Sequence, residues 1–188
     1  MVINMKFKYI FMILISILSV YIIYNHNYNK VINILSISSV KDNYNPTLSN
    51  YLSNSNLKFN LNIDYSTNLE IENLIGLINN NNNKIQSKIN NSDIIILNIG
   101  NIDILTEDTK TIINELKELF TILRKINSKE IIYISPSNIK NTTYIKELCK
   151  KYNILFINSS SFNNNELLSN TIYRKIESQY NAKKDWFI

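Results

Sequence analysis

The stretch SDIIILNIGNIDI, Ser92 to Ile104, decides how this chain folds. Its centre, Ile94 to Gly100, is a continuous apolar run rich in β-branched residues. Such a run is typical of a strand buried on both faces of a parallel sheet, rather than one with a wet side. Gly100 then breaks the run, and a polar turn follows.

Working outward, the segments alternate. Downstream, Thr106 to Ile126 carries Ile112, Ile113, Leu116, Leu119, Phe120, Leu123 and Ile126 at helical spacing. Thr106 is the expected N-cap, with Glu107 and Asp108 complementing the helix dipole. IIYIS, Ile131 to Ser135, reads as another buried strand. Thr142 to Tyr152 reads as helix, Asn153 as a turn into the strand ILFINSS, and about Glu166 to Gln179 as a last helix. Upstream, Val31 to Ile37 is a first strand and Pro46 opens a helix, proline being suited to a first turn. Leu57 to Ile63 alternates as a half-buried strand. Leu69, Leu74, Ile75 and Ile78 mark a short helix before an asparagine loop, Asn79 to Asn83. Alternating strands and helices predict a three-layer α/β/α sandwich on an open parallel sheet. Ligands of such folds sit at the carboxyl ends of the strands. The residues to interrogate are therefore Ser38 and Ser39, Tyr65 and Ser66, Gly100 to Asp103, Ser135 to Ser137, and Ser159 to Ser161.

Composition narrows the chemistry. With 188 residues the chain can bury a real core, and 45% hydrophobic residues argue against general disorder. Two glycines and two prolines leave much of the turn work to asparagine. The single cysteine, Cys149, cannot form an internal disulfide and reads as a packed thiol. With one histidine, His26, no Cys/His zinc cluster is available; no metal and no cofactor are assigned. The net charge of +5 is mild and scattered, with no basic stripe interleaved with aromatics, so nucleic acid is not an expected partner.

The N-terminal end differs. Lys6 and Lys8 precede sixteen uncharged residues, Tyr9 to Tyr24, with tyrosines at both ends. This fits the positive-inside and aromatic-belt patterns, and no small-residue cleavage step follows. Residues 1–30 are expected to be an uncleaved signal anchor with a short stalk, the membrane partner being residues 9–24. Residues 31–188 form the domain, expected outside the cytoplasm.

ILSISSVKDNYNPTLSNYL resembles the first block of the SGNH (GDSL-like) hydrolases, and SDIIILNIGNIDI followed by INELKELFTILRKINSKEIIYISPSN resembles their third block with the helix and strand after it; the resemblance covers roughly Val31 to Gln179. The resemblance implies a flavodoxin-like five-stranded parallel sheet and a serine esterase or acyl hydrolase ancestry. It puts Ser39 on the nucleophile position, Ser66 near the second block, and NTIYRKIESQ near the block that supplies Asp-x-x-His. Ile37-Ser38-Ser39 stands where Gly-Asp-Ser is expected. Gly100-Asn101-Ile102-Asp103 stands for Gly-x-Asn-Asp. Asn170 and Tyr173 occupy the aspartate and histidine positions.

The chemistry of the residues points the same way. A serine hydroxyl needs a base to become a nucleophile. His26 would have to reach the far end of the first strand, about 20 Å away at ~3.3 Å per residue. A phenol such as Tyr173 titrates near pH ~10, too weak a base at neutral pH. Asp103, Glu107 and Asp108 could serve acid–base work or hold a divalent metal, but capping the long helix is the simpler role. The expectation is a membrane-anchored, catalytically inactive SGNH-like protein with Ser39 as a remnant nucleophile. Ser38, Ser66, Gly100, Asn101, Asp103, Asn170 and Tyr173 are its degenerate site positions, open to an ester, glycan or protein ligand. The alternatives are an active esterase with an atypical site, and a cell-surface interaction protein using the Trp186-Phe187 tip.

Overall fold

The computed structural model describes residues 2–184, apart from 29, 40–43, 68, 81–82, 127–128 and 140–141. A long helix, α1 (Val2–Tyr28), precedes the domain. The domain then runs β1 (Val31–Ser38), α2 (Tyr44–Ser53), β2 (Lys58–Tyr65), α3 (Ile71–Asn79), α4 (Asn83–Asn90), β3 (Ile94–Asn98), α5 (Asp103–Thr106) and α6 (Thr109–Ile126). It ends with β4 (Glu130–Ser135), α7 (Thr142–Lys151), β5 (Leu155–Asn158), a 3-10 turn (Ser159–Ser161) and α8 (Asn165–Lys184). The five strands form one sheet in the order β2-β1-β3-β4-β5, and every pairing is parallel.

Side-chain alternation along the strands builds two cores. Leu35, Ile37, Ile95, Leu97, Ile131 and Tyr133 face α3, α4, α6 and α7, where Leu74, Ile89, Leu116, Phe120 and Ile145 meet them. Ile34, Ile94, Ile96, Ile132, Ile134 and Ile157 face the other way, onto Leu48 and Leu52 of α2 and Leu168, Ile172 and Ile176 of α8. The helices therefore cover both faces, which is why β3 reads as a continuous apolar run rather than an alternating one. Each fully buried isoleucine or leucine contributes about 1.5–3 kcal/mol of transfer free energy.

Three expectations are corrected. The asparagine tract is not one loop: Asn79 ends α3 and Asn83 starts α4, with residues 81–82 outside the described set. Helix α4 is mostly polar, and of its described side chains only Ile85 and Ile89, one turn apart, are buried. Between β3 and α6 lies the extra short helix α5, so α6 starts at Thr109. Its first turn is capped by Asp108, whose Oδ1 accepts from Lys110 N (2.8 Å) and Thr111 N (2.9 Å). Thr106, the expected cap, ends α5 instead. Asparagine does act as a turn residue at Asn153, which takes a left-handed φ of 53° before β5. Cys149 is fully buried, and burial pushes its thiol up to about 12, as a packed thiol requires.

In α1 the described side chains run from Lys8 to Ile22 and all are exposed. Over the described residues, no helix is long and apolar enough to cross a membrane.

Candidate functional site

Strands β1 and β3 lie side by side, with Ser38 opposite Asn98 in register. Their carboxyl ends deliver Ser38 and Ser39 on one side and the Gly100-to-Asp103 turn on the other. Ser66, just beyond β2, continues the ladder by donating its N–H to Ser38 O at 3.2 Å. The parallel register thus brings together five of the sequence-derived positions: Ser38, Ser39, Ser66, Gly100 and Asn101.

Ser39 is only 3% exposed. Its hydroxyl donates to the carbonyl of Asn98 at 3.5 Å, and its N–H donates to the same carbonyl at 3.1 Å. A carbonyl holds a hydroxyl but does not take its proton, so this contact cannot make a serine nucleophilic. The N–H matters too. Serine hydrolases commonly use the nucleophile's own N–H to stabilise an oxyanion. Here that N–H is already engaged.

Asn98 links the two halves of this end. Its side-chain Oδ1 accepts from Asn101 Nδ2 at 3.2 Å while its carbonyl holds Ser39. It was missed in the sequence because it is embedded in an apolar run. Gly100 makes the turn possible. Its φ is +97°, a conformation that favours glycine, and a Cβ there would sit 3.4 Å from Pro136 Cγ and 3.5 Å from the Tyr133 hydroxyl. The turn closes when Ile104 N donates to Gly100 O at 3.2 Å.

This turn carries Asp103 inward. Asp103 is fully buried, and its Oδ1 accepts from the Ile71 N–H at the start of α3, at 2.9 Å. Glu107 and Glu115 converge on it, and oxygens of all three acids lie within 4.8 Å of one another. Burial, then the Asp103 and Glu70 charges, hold the Glu107 carboxyl above its usual range. Burial, then the charges of Glu107 and Asp103, push Glu115 up to about 7. Glu115, in the middle of α6, carries no signal at a strand end that would mark it; Asp108, grouped with Asp103 and Glu107 in the sequence, faces the α6 N-terminus instead.

Asn170 and Tyr173 lie on α8. The Tyr173 hydroxyl donates to Glu177 Oε1 at 2.7 Å and also bonds to Ser55, while its ring stacks on Tyr51 at 5.7 Å. These contacts tie α8 to the α2 region, so Tyr173 is engaged as packing. Asn170 is partly buried on the same helix. The side chain of His26, Asp42 and the Trp186-Phe187 tip lie outside the described residues.

No family model matches the chain, and no curated protein matches it in sequence. Solved structures do match. The chain is similar to the psychrotrophic esterase EstA from Pseudoalteromonas sp., solved in a form inhibited by monoethylphosphonate, with a TM-score of 0.50 and 12% identity over 82% of this chain and 97% of that one. It is also similar to TesA, with a TM-score of 0.51 and 7% identity over 66% of this chain and 76% of that one. At these identities the likeness concerns the fold: the chain has the α/β architecture of the SGNH/GDSL-type hydrolases.

Proposed function

We propose that this is a membrane-anchored, SGNH-hydrolase-like protein that keeps the hydrolase fold without hydrolysis and uses the old cleft end of the sheet for binding. The observation that carries this reading is the state of Ser39, whose hydroxyl and N–H both end on the Asn98 carbonyl. A working acyl-transfer site needs a base on the first and leaves the second free for substrate. Asn170 and Tyr173, at the positions of the orienting acid and the base, supply neither a carboxylate nor an imidazole.

Turnover of p-nitrophenyl acetate and butyrate by the full chain tests it. Rates equal to those of Ser39→Ala support the reading. A rate tenfold or more above the variant's would restore the alternative of an active esterase with an atypical site.

Anchoring is supported by α1. Ile10, Ile17 and Val20 of this helix are each more than half exposed (57%, 61% and 67%), an unusual cost in water for a continuous apolar surface. The uncharged run continues to Tyr24 and is preceded by Lys6 and Lys8. Counted with these flanks, whose side chains lie in part outside the described set, the run reaches the lower end of the ~17–25 residues that span a bilayer. Retention of the full chain in membranes after alkaline carbonate washing is the expected result; release into the supernatant would remove the anchor. The domain would then lie outside the cytoplasm, its cleft available to an ester, a glycan or a protein partner.

A further inference from the structure

We propose that Asp103, Glu107 and Glu115 form a binding site for a divalent, oxygen-seeking cation of the calcium class. Asp103 is fully buried and keeps Oδ1 on the Ile71 N–H, while its other oxygen, Oδ2, is buried with no hydrogen-bond partner. Glu107 Oε2 and Glu115 Oε2 are likewise buried and unpartnered, although the two carboxyls also hydrogen-bond each other, a bond whose proton a cation would displace. Among the described residues, four buried side-chain atoms lack a partner, and three of them belong to this one cluster. Buried polar atoms are normally satisfied, and an orphan marks a missing partner. Three orphans on three converging acids point to one shared partner of positive charge.

The geometry suits a calcium-sized ion. Two oxygens on opposite sides of Ca²⁺ are about 4.8 Å apart, at ~2.4 Å per bond. The three acids offer oxygens that all lie within 4.8 Å of each other, so one ion can touch all three. Among the described residues none of the three acids is ion-paired; the ion pairs are made by Asp64 and Asp93. Glu70 and Glu72 add further negative charge nearby. The donor set is all carboxylate, which selects hard cations over zinc or copper. The site does not depend on whether Ser39 is activated, so it stands or falls apart from the reading above. It does sit at the carboxyl end of β3, where a bound ion would also fix the Gly100–Asp103 turn.

The test is titration of the full chain, stripped with EDTA and held in a mild detergent, with Ca²⁺ alone. Isothermal titration calorimetry and thermal melting are the readouts. Saturable binding of one ion with a raised melting temperature is expected. Glu115→Gln and Glu107→Gln should each weaken binding at least tenfold while melting like the parent, or higher, in EDTA. No binding at 10 mM Ca²⁺, or equal binding by both variants, would overturn the proposal. A variant that fails to fold is replaced by the other, which removes a different ligand.

Discussion

Two buried aspartates bracket β3, one at each end, and their surroundings are opposites. Asp93, before the strand, accepts the Asn33 N–H at 3.0 Å and pairs with Lys129 at 3.3 Å and Lys30 at 3.5 Å. Burial works against its charge, but the Asn33 hydrogen bond and the two lysines outweigh it and hold the carboxyl below the usual range. Asp103, after the strand, has one N–H and two glutamates. The amino-terminal end of the sheet is electrostatically closed: its acid is satisfied within the fold. At the carboxyl-terminal end, no ion pair among the described residues balances the charge of the three acids. Open α/β sheets bind ligands at that end, and the contrast marks where the proposed cation would supply the missing charge.

The contrast can be broken by substitution. Asp93→Ala leaves the part-buried Asn33 N–H without its acceptor and unpairs two half-exposed lysines, and should lower the unfolding free energy by about 1–3 kcal/mol in urea titrations. A loss under 0.5 kcal/mol, an order-of-magnitude threshold for surface changes, would mean the amino end is not closed by Asp93. Gly100→Ala forces a Cβ into a left-handed turn against Pro136, at a cost of about 1–3 kcal/mol. It should also weaken Ca²⁺ binding, since the turn positions Asp103. Asp103→Asn should do the reverse of Asp93→Ala in metal-free buffer at pH 7.5. Its amide still accepts from Ile71 while one negative charge leaves the cluster, a gain of about 1 kcal/mol. A loss as large as that of Asp93→Ala would make the two ends alike.

The pH response sharpens the same comparison. Folded Glu115 holds its proton to about pH 7, whereas an ordinary glutamate releases it near 4.5. That stabilisation is fully present below pH 4.5 and is lost as pH rises toward 7. Asp93 runs the other way: its contribution is present above the usual aspartate value of about 3.9 and is lost as pH falls through its lowered one. Melting temperature in metal-free buffer should therefore decline from pH 4.5 to 7, and Glu115→Gln should flatten that decline. The smallest effect is Tyr173→Phe, which removes a partly exposed hydroxyl and should cost less than about 1 kcal/mol with no change in ester turnover. A large drop in turnover would make Tyr173 part of a working site.

The sheet was legible because strands buried on both faces must be apolar throughout, and IIILN and IIYIS announce themselves. Helix α6 was legible from its apolar spacing. Helix α4 was hidden because NKIQSKIN has only two apolar residues and its asparagines favour turns. At the candidate site, the strand ends point to Ser39 and Asp103. They do not point to Glu115, because it sits within a helix and meets Asp103 only after the Gly100 turn and α5 fold the chain back. Asn98 was swallowed by the apolar run that contains it.

The proposal that Ser39 is unactivated turns on one chemical property, whether its hydroxyl attacks an electrophile. Exposure of the folded full chain to a fluorophosphonate probe, read by intact mass with Ser39→Ala as control, tests it most directly. No adduct is expected on protein that melts cooperatively. An adduct on the parent that disappears in Ser39→Ala would contradict the proposal, since only an activated serine hydroxyl attacks such a probe.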